Sequence, residues 1–276
     1  MIFVFRKWKV FCKSLKEKGL ISVPANSLSY GQNNFLVLKH DVETNVKKAY
    51  KIARIEKEYG HCGSYYVQAY LLRDKKNVSI LQNMQKMGHE ISYHYDVMDS
   101  SKGDIEKAKE EFEKNKRRFE ANGFELITVC QHGNPLIERV GYTSNRDFFR
   151  NESVQKQYPR IADIMVNFKE LKNVKYLYFS DAGRVFKLIY DPLFNDVYNS
   201  DDKNVSFKSL CELIETIEQN DSNIISTHPH RWCSSVLMYE IKTVAFLFIK
   251  TTAKALYKIP FMKRFMNKYY YLAKKI

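Results

Sequence analysis

The run Phe35-Leu-Val-Leu-Lys-His40-Asp41-Val-Glu43 begins with apolar residues and ends with polar ones. A short apolar run of this kind is typical of a strand that is buried on both faces. We therefore expect a strand over 35–39, with His40 and Asp41 at its carboxyl end. In α/β sheets the carboxyl ends of the strands gather the reactive groups, so this stretch predicts both a central strand and part of a site.

Strand-like and helix-like patterns alternate along most of the chain. Apolar residues recur at helical spacing within 45–58, and Gly60 ends that helix. Further strands are expected over 64–69, 90–95, 126–130, 174–179 and 224–227, with helices over about 80–88, 104–119 and 207–217. This alternation predicts an α/β fold with a mostly parallel sheet, either open or closed into a barrel. The segment 134–172 has no clear pattern and is expected to be a functional excursion over one face.

Other polar clusters follow the predicted strands in the same way. They contain His94, His132, Asp181 and the sequence His228-Pro-His230. Because the strand ends of one sheet meet at one edge, we expect these groups to form a single site. Imidazole together with carboxylate suits a divalent transition metal, and zinc is the first choice.

Positive charge is concentrated at the two ends of the chain. The net charge is +14 over 276 residues; residues 1–20 hold six basic residues against one acid, and residues 233–276 hold nine against one. Apolar stripes accompany the basic residues at both ends, which predicts a basic N-terminal helix and basic amphipathic C-terminal helices. An anionic membrane surface would suit such ends, although two solvated helix faces explain them equally well. A nucleic-acid partner is not expected, because no nucleic-acid motif accompanies the charge.

Cysteine usage and the absence of long apolar runs favour a cytoplasmic protein. The five cysteines are an odd number without short metal-type spacing, which favours free thiols. The first ten residues lack a signal peptide's order of a basic region followed by an apolar region. We therefore expect a cytoplasmic protein that associates peripherally with the inner membrane face.

In their order, the polar clusters resemble the motifs of the polysaccharide deacetylase superfamily, the NodB-homology carbohydrate esterases. The likeness is to an atypical branch whose first motif reads His-Asp-Val-Asp. The stretches that resemble the motifs are Leu38–Glu43, Gly88–His94, Gln131–Pro135, Ser180–Arg184 and Ser226–Trp232. The resemblance implies a distorted (β/α) barrel of about seven parallel strands. We assign this domain to 21–232, with the basic helix in 1–20 and the C-terminal helices in 233–276.

The resemblance also implies roles for individual residues. By position, Asp41 matches the family's metal aspartate and His94 its first metal histidine, while His228 matches the general-acid histidine. His40 stands in the place of the aspartate that serves as base. The family's second metal histidine is replaced by Met98, and thioether is a poor zinc ligand beside imidazole.

A third protein ligand for the metal must therefore come from elsewhere in the chain or be absent. His132 is the first choice because its strand is expected beside the one that ends at His94, and His230 is the second. His132 could equally well contact the substrate instead of the metal. Asp41 could cap the next helix instead of binding the metal. His40 could orient Asp41 instead of acting as the base.

The remaining residues of the motifs are expected around the substrate. Asp181 is assigned to the catalytic group, with a local ion pair to Arg184 as the alternative. Arg184, His230, Trp232 and Asn134 are assigned to substrate binding, Trp232 by stacking on a sugar ring.

The function implied is that of a metal-dependent hydrolase. It would remove an acyl group, N-acetyl in the first instance, from a sugar of a glycan or of a lipid-linked glycan precursor. The alternative is a catalytically degenerate, sugar-binding relative, suggested by Met98 and His40 in place of the usual ligand and base.

Overall fold

A computed structural model describes residues 3–134, 137–181, 185–189, 191–194, 205–217 and 222–256, with the backbone alone for residues 246 and 248–256. The strands among these residues are β1 (Leu36–Val42), β2 (Gly63–Val67), β3 (Glu90–Tyr95), β4 (Thr128–Gln131), β5 (Ala162–Asp163), β6 (Tyr176–Ser180), β7 (Phe186–Leu188), β8 (Val205–Phe207) and β9 (Ser222–Thr227). They form one sheet in the order β5-β4-β3-β2-β1-β9-β6-β7-β8.

The predicted α/β class is confirmed, whereas the closed barrel of about seven strands is not. β1 to β6 and β9 pair in parallel, and β7 and β8 pair antiparallel at one edge. Strands that follow one another in the chain are mostly neighbours, as in a (β/α) barrel. Among the described residues, however, no pairing joins β5 to β6, because β6 pairs with the antiparallel β7 on that side.

The helices of the described residues also follow the sequence pattern, apart from three short ones. The helices are α1 (Phe5–Glu17), α2 (Val46–Glu58), α3 (Lys75–Lys86), α4 (Val97–Ser100), α5 (Ile105–Ala121), α6 (Asp147–Arg150), α7 (Glu152–Gln157), α8 (Leu210–Thr216) and α9 (Val236–Leu256). The three that the pattern did not predict are α4, α6 and α7. Four of the longer helices begin at a capping side chain, Asn45, Asp74, Asp104 or Ser209, which accepts a backbone N–H of the first turn.

The strand β1 lies at the centre of the sheet, between β2 and β9. All seven of its residues are buried, which explains the apolar run with which it begins. The strand continues to Val42, three residues beyond its predicted end at 39. His40 and Asp41 are therefore inside the strand, and their side chains point to opposite faces of the sheet.

A large apolar core on one face of the sheet and a smaller one on the other enclose β1. In the larger core, α1 contributes Trp8, Phe11, Cys12 and Leu15, which recur at helical spacing. The basic residues of α1 lie on its opposite face. The smaller core covers the other face of the sheet and includes Val37, Tyr66, Ile164, Met165 and Ile224.

The segment 134–172 contains more regular structure than its sequence pattern predicts. Its described part holds α6, α7 and the two-residue strand β5, which pairs with β4. The pattern did not reveal these elements because each is shorter than two helical turns or one full alternation of a strand.

The C-terminal end of the described chain is the helix α9, which begins in the predicted amphipathic region. No helix among the described residues combines the length and apolar character that crossing a bilayer requires. The second predicted stripe of this region, in residues 261–269, lies outside the described residues.

Candidate active site

The carboxyl ends of neighbouring strands bring several of the predicted residues together. On β1, Lys39 and Asp41 face the same side of the sheet, and Glu43 follows just beyond the strand. His94 lies near the end of β3, in register with Cys130 on β4. All five side chains are buried.

Two overlapping groups of three side chains could hold a metal ion. In one, single ligand atoms of Glu43, His94 and His132 lie within 4.8 Å of one another; in the other, those of Asp41, His94 and Cys130 do. His94 is common to both groups. The first group offers two imidazoles and a carboxylate, a donor set that suits zinc and other divalent transition metals.

The ring of His94 has the hydrogen bonding of a metal ligand. Its Nδ1 lies 3.1 Å from the backbone oxygen of Cys130, while its Nε2 is buried without a hydrogen-bond partner. A ring that donates from one nitrogen to a carbonyl leaves the lone pair of the other nitrogen available, which is the usual arrangement for a metal-bound histidine. Burial lowers the pKa of His94 to about 3, which keeps the ring neutral. These features fit a metal at this point.

In the second group, Asp41 and Cys130 are both poorly prepared to bind a metal. Both carboxylate oxygens of Asp41 contact the ammonium of Lys39, at 2.6 and 2.7 Å. Burial raises the pKa of the Cys130 thiol far above its ordinary value, so the thiolate form that binds metals is disfavoured. The group of Glu43, His94 and His132 therefore fits a metal better than the group with Asp41 and Cys130.

Asp181 and His228 form a dyad on the side of the cluster that faces β6 and β9. His228 Nδ1 lies 2.5 Å from Asp181 Oδ1, and the backbone N–H of His228 donates to Oδ2 at 3.0 Å. Arg231 donates to Oδ1 at 2.7 Å. Burial alone would raise the pKa of Asp181, but the charges of Arg231 and His228 outweigh it and hold the pKa well below its usual range. Asp181 is therefore a fixed anion that orients the histidine ring.

The other nitrogen of His228 points toward the carboxylates of the cluster. Nε2 lies 3.7 Å from Glu43 Oε1 and 3.9 Å from Asp41 Oδ2. The other end of the ring is held by Asp181, so this nitrogen is the one that can exchange a proton with a group bound among these side chains.

The backbone at His132 is held by residues of the 134–172 segment. Asn145 donates its side-chain amide to the His132 carbonyl at 2.7 Å and to Asp99 Oδ2 at 2.8 Å. Asp99 in turn accepts two hydrogen bonds from Arg139, at 2.8 and 2.9 Å. These contacts restrict the loop that carries His132, and nothing in the sequence pattern pointed to Asn145.

The structure does not bring His40 to this cluster. Its side chain lies on the opposite face of β1, where Nε2 is 2.8 Å from Glu56 Oε1 in α2. The ring stacks on Tyr65 with centroids 4.3 Å apart and is fully buried. The assignment of His40 as catalytic base is corrected, since one step along a strand reverses the side-chain direction.

Trp232 also lies away from the site, in the larger core. It is fully buried, packs edge-on against Trp8 at 5.0 Å, and donates its indole N–H to Thr227 at 2.8 Å. Stacking on a sugar requires an exposed ring face, so the assignment of Trp232 to substrate binding is corrected.

The other predicted residues have varied positions. The ring of His230 lies 5.8 Å from that of His228, and burial lowers its pKa to about 3. Asn134 is half-buried on the loop after β4, where its carbonyl accepts from Arg139 at 3.1 Å. Arg184 lies outside the described residues. Met98 is buried in the larger core.

Three side chains at the site were missed by sequence reasoning: Lys39, Glu43 and Cys130. The first two alternate with His40 and Val42, so a strand extended to 42 would have predicted Lys39, Asp41 and Glu43 on one face. The signal was present in the sequence, but the predicted strand ended too early to use it.

No family model and no curated protein matches the chain. Among solved structures, the chain is similar to that of the peptidoglycan deacetylase PdaC from Bacillus subtilis, at 12% sequence identity and a TM-score of 0.37, over 80% of this chain and 98% of that one. At that level of similarity, a function must be argued from the residues of the site.

Proposed function

We propose that this protein is a metal-dependent hydrolase that removes an acyl group from a sugar. The N-acetyl group of a glycan or lipid-linked glycan precursor is the substrate we put first. The proposal is carried by one observation: His228, oriented by Asp181, directs Nε2 to within 3.9 Å of two carboxylates. Each of those carboxylates belongs to a group of three candidate metal ligands, and the group that contains Glu43 fits a metal better.

Glu43, His94 and His132 would hold the metal. This set keeps two of the three ligands predicted from sequence and replaces Asp41 by Glu43. Bound there, a divalent metal, zinc in the first instance, supplies Lewis-acid polarisation of the acyl carbonyl and acidifies a water molecule.

The chain's own residues supply the proton transfers. Both oxygens of Asp41 already contact Lys39, so we assign Nε2 of His228, which faces the cluster, to receive the proton of the attacking water. The same nitrogen then delivers that proton to the leaving amine, because Asp181 fixes the Nδ1 side of the ring. Arg231 keeps Asp181 ionised and so stabilises the orientation of the ring. His230, beside His228, and Asn134 would contact the sugar.

Acetate release tests the proposal. The purified protein, with and without added zinc or chelator, would be assayed against acetylated sugar nucleotides and lipid-linked acetamido sugars. We expect metal-dependent acetate release that His228→Ala abolishes and that the exposed Glu125→Gln variant retains. Absence of acetate release, combined with absence of bound metal in protein purified without chelator, would refute it.

A sugar-binding relative without activity is the second candidate, favoured by a specific observation. Met98 stands at the position where the polysaccharide deacetylase superfamily has a metal-binding histidine. Its side chain is buried in the larger core. This candidate predicts that acetylated sugars bind, in calorimetry, with equal affinity in the presence of zinc and of chelator. A zinc dependence of sugar affinity would count against it.

We also propose that the protein docks on an anionic membrane surface through α1 and the start of α9. Backbone hydrogen bonds between Phe5 and Cys233 (3.1 Å) and between Cys233 and Phe3 (2.9 Å) bring the start of α1 close to the chain just before α9. The first turns of α9 expose apolar residues, and the outer face of α1 is basic. The exposed apolar residues are Leu237, Ile241 and Val244, and the exposed basic residues are Arg6, Lys7, Lys9, Lys13 and Lys16. Apolar insertion beside positive charge matches an anionic lipid surface, which would place the protein at the cytoplasmic face of the inner membrane.

Vesicle sedimentation tests this docking. We expect the protein to pellet with vesicles that contain phosphatidylglycerol and to stay in solution with pure phosphatidylcholine. Substituting Leu237→Glu and Ile241→Glu together should abolish pelleting, while the matched exposed variant Val140→Glu should not. Equal pelleting of both variants would contradict the docking.

A further inference from the structure

A buried ammonium group lies within the proposed site. Lys39 is 1% exposed, and its Nζ contacts Asp41 Oδ1 at 2.6 Å, Asp41 Oδ2 at 2.7 Å and the hydroxyl of Ser226 at 3.2 Å. Its position follows from the strand, because Lys39 and Asp41 are two residues apart on β1 and share a face.

Lys39 and Asp41 form a buried ion pair. A buried ammonium is strongly disfavoured unless an opposite charge and hydrogen-bond acceptors surround it. Burial alone would lower the pKa of Lys39, but the Asp41 carboxylate outweighs it and raises the pKa well above the ordinary value. The short separations of 2.6 and 2.7 Å between the ammonium and the two carboxylate oxygens are typical of a contact between charged groups.

This pair changes how Asp41 can interact with a cation. Both of its oxygens already contact the Lys39 ammonium. A divalent cation on the same carboxylate would share it with that ammonium, and two like charges on one buried carboxylate repel strongly. The Oε1 of Glu43, by contrast, lies 3.4 Å from His132 Nε2 and 3.7 Å from His228 Nε2.

We propose that Lys39 is a positioning residue that decides which carboxylate binds the metal. By pairing with Asp41 it keeps that carboxylate out of the coordination sphere, so Glu43 is the carboxylate ligand. The inference rests on the proposed metal-dependent function. Measurements of metal binding test it without an activity assay.

Zinc titration calorimetry and the visible absorption of the cobalt-substituted protein test the inference. The first comparison is between Glu43→Gln and the double variant Lys39→Met with Asp41→Asn, which removes both charges of the pair and leaves no unpaired charge buried. We expect the double variant to bind zinc within about threefold of the wild type and to keep the cobalt spectrum. Glu43→Gln should weaken zinc binding by about 100-fold, the scale on which removing groups at a metal site acts.

The second comparison removes Lys39 alone. In Lys39→Met the freed Asp41 carboxylate should join the metal, strengthening zinc binding by about tenfold and changing the cobalt spectrum. Lys48→Met is the matched control, because it removes an ammonium that contacts the His230 carbonyl at 2.6 Å and does not touch Asp41. It should leave the spectrum unchanged.

The outcomes separate this inference from the proposed function. Loss of zinc affinity in the double variant as large as in Glu43→Gln would overturn the role of Lys39 while leaving a metal enzyme. An equal gain in affinity in Lys39→Met and Lys48→Met would overturn it too, since the effect would then be one of overall charge. A wild-type protein that binds neither zinc nor cobalt would overturn both proposals. If Lys39→Met does not fold, the double variant alone decides.

Discussion

Three consecutive residues of β1 lie in two different environments. Lys39 and Asp41 form a buried ion pair at the proposed site, whereas His40 between them contacts Glu56 on the opposite face. The side-chain direction reverses at each residue of a strand. A motif that reads as a contiguous catalytic pair is thus divided between the site and the core.

Asp181 gives a prediction about catalysis. In Asp181→Asn the His228 ring loses its charged partner at Nδ1, so a proton donor at Nε2 is no longer favoured. We expect kcat for acetate release to fall by about 100-fold or more, the usual scale of a general acid, with zinc affinity unchanged. Asp74→Asn is the matched control, because asparagine caps a helix as well as aspartate does. Unchanged kcat in Asp181→Asn would exclude the dyad from the reaction.

Glu56 gives a prediction about stability and pH. The buried carboxylate accepts hydrogen bonds from Tyr65 (2.6 Å) and Trp8 (3.2 Å) and lies 2.8 Å from His40 Nε2. The other titratable groups that face it are His89, His61, Cys12 and Cys62. Burial would raise its pKa, but His40, His89 and Tyr65 outweigh burial and lower it.

Because the folded-state pKa is lowered, the charged form of Glu56 stabilises the fold above the unfolded-state pKa of about 4.3. That contribution is lost as the pH falls through the folded-state pKa. We expect Glu56→Gln to lower the free energy of unfolding by about 1.5–3 kcal/mol at pH 7 and to cost less as the pH falls below about 4. Urea unfolding of both proteins across this range measures the difference. A difference that does not vary with pH would show that the charge is unimportant.

At the scale of elements, β1 and β2 approach closely at Gly63. A Cβ at this position would lie 2.8 Å from the backbone oxygen of Leu38 and 3.1 Å from Glu56 Oε2. The backbone oxygen cannot move without disturbing the central strand. Glycine is therefore required where β2 passes β1.

We expect Gly63→Ala to destabilise the protein by about 1–3 kcal/mol, the usual cost of overpacking a core. Gly133→Ala is the matched control, because the atom nearest to its added Cβ lies 3.9 Å away. Thermal unfolding would measure both variants. Equal stability of the two would mean that β1 and β2 separate more easily than their packing suggests.

Sequence patterns predicted the long elements and missed the short ones. The strand predicted over 90–95 has the same bounds as β3. The helix predicted over 45–58 differs from α2 by one residue at its start. β5, β7 and β8 have two or three residues each. Elements this short are specified by pairing with neighbouring strands and not by local periodicity. The same holds for the Asn145 contact that restrains the His132 loop.

At the scale of the whole molecule, the candidate ligands come from β1, β3 and β4 and the loops that follow them. A ligand that binds only the folded state stabilises it by mass action, by about 2.7 kcal/mol at 100 times its Kd. We expect zinc at that concentration to raise Tm by about 5–10 °C in the wild type and in Glu125→Gln, and to leave Tm of His132→Asn nearly unchanged. Calorimetric scans with zinc and with chelator measure this. A zinc-dependent rise in His132→Asn equal to that of the wild type would remove His132 from the ligand set.

The α/β alternation, the central strand and the polar residues that follow the strands could all be predicted from the sequence alone. These features follow from local physics, because burial on both faces requires an apolar run and a parallel sheet gathers the strand ends. Which of those polar residues contact one another depends on the tertiary structure. It placed His40 and Trp232 in the core and paired Lys39 with Asp41. Side-chain direction depends on where a strand ends and what packs on each face, and distant parts of the chain set both.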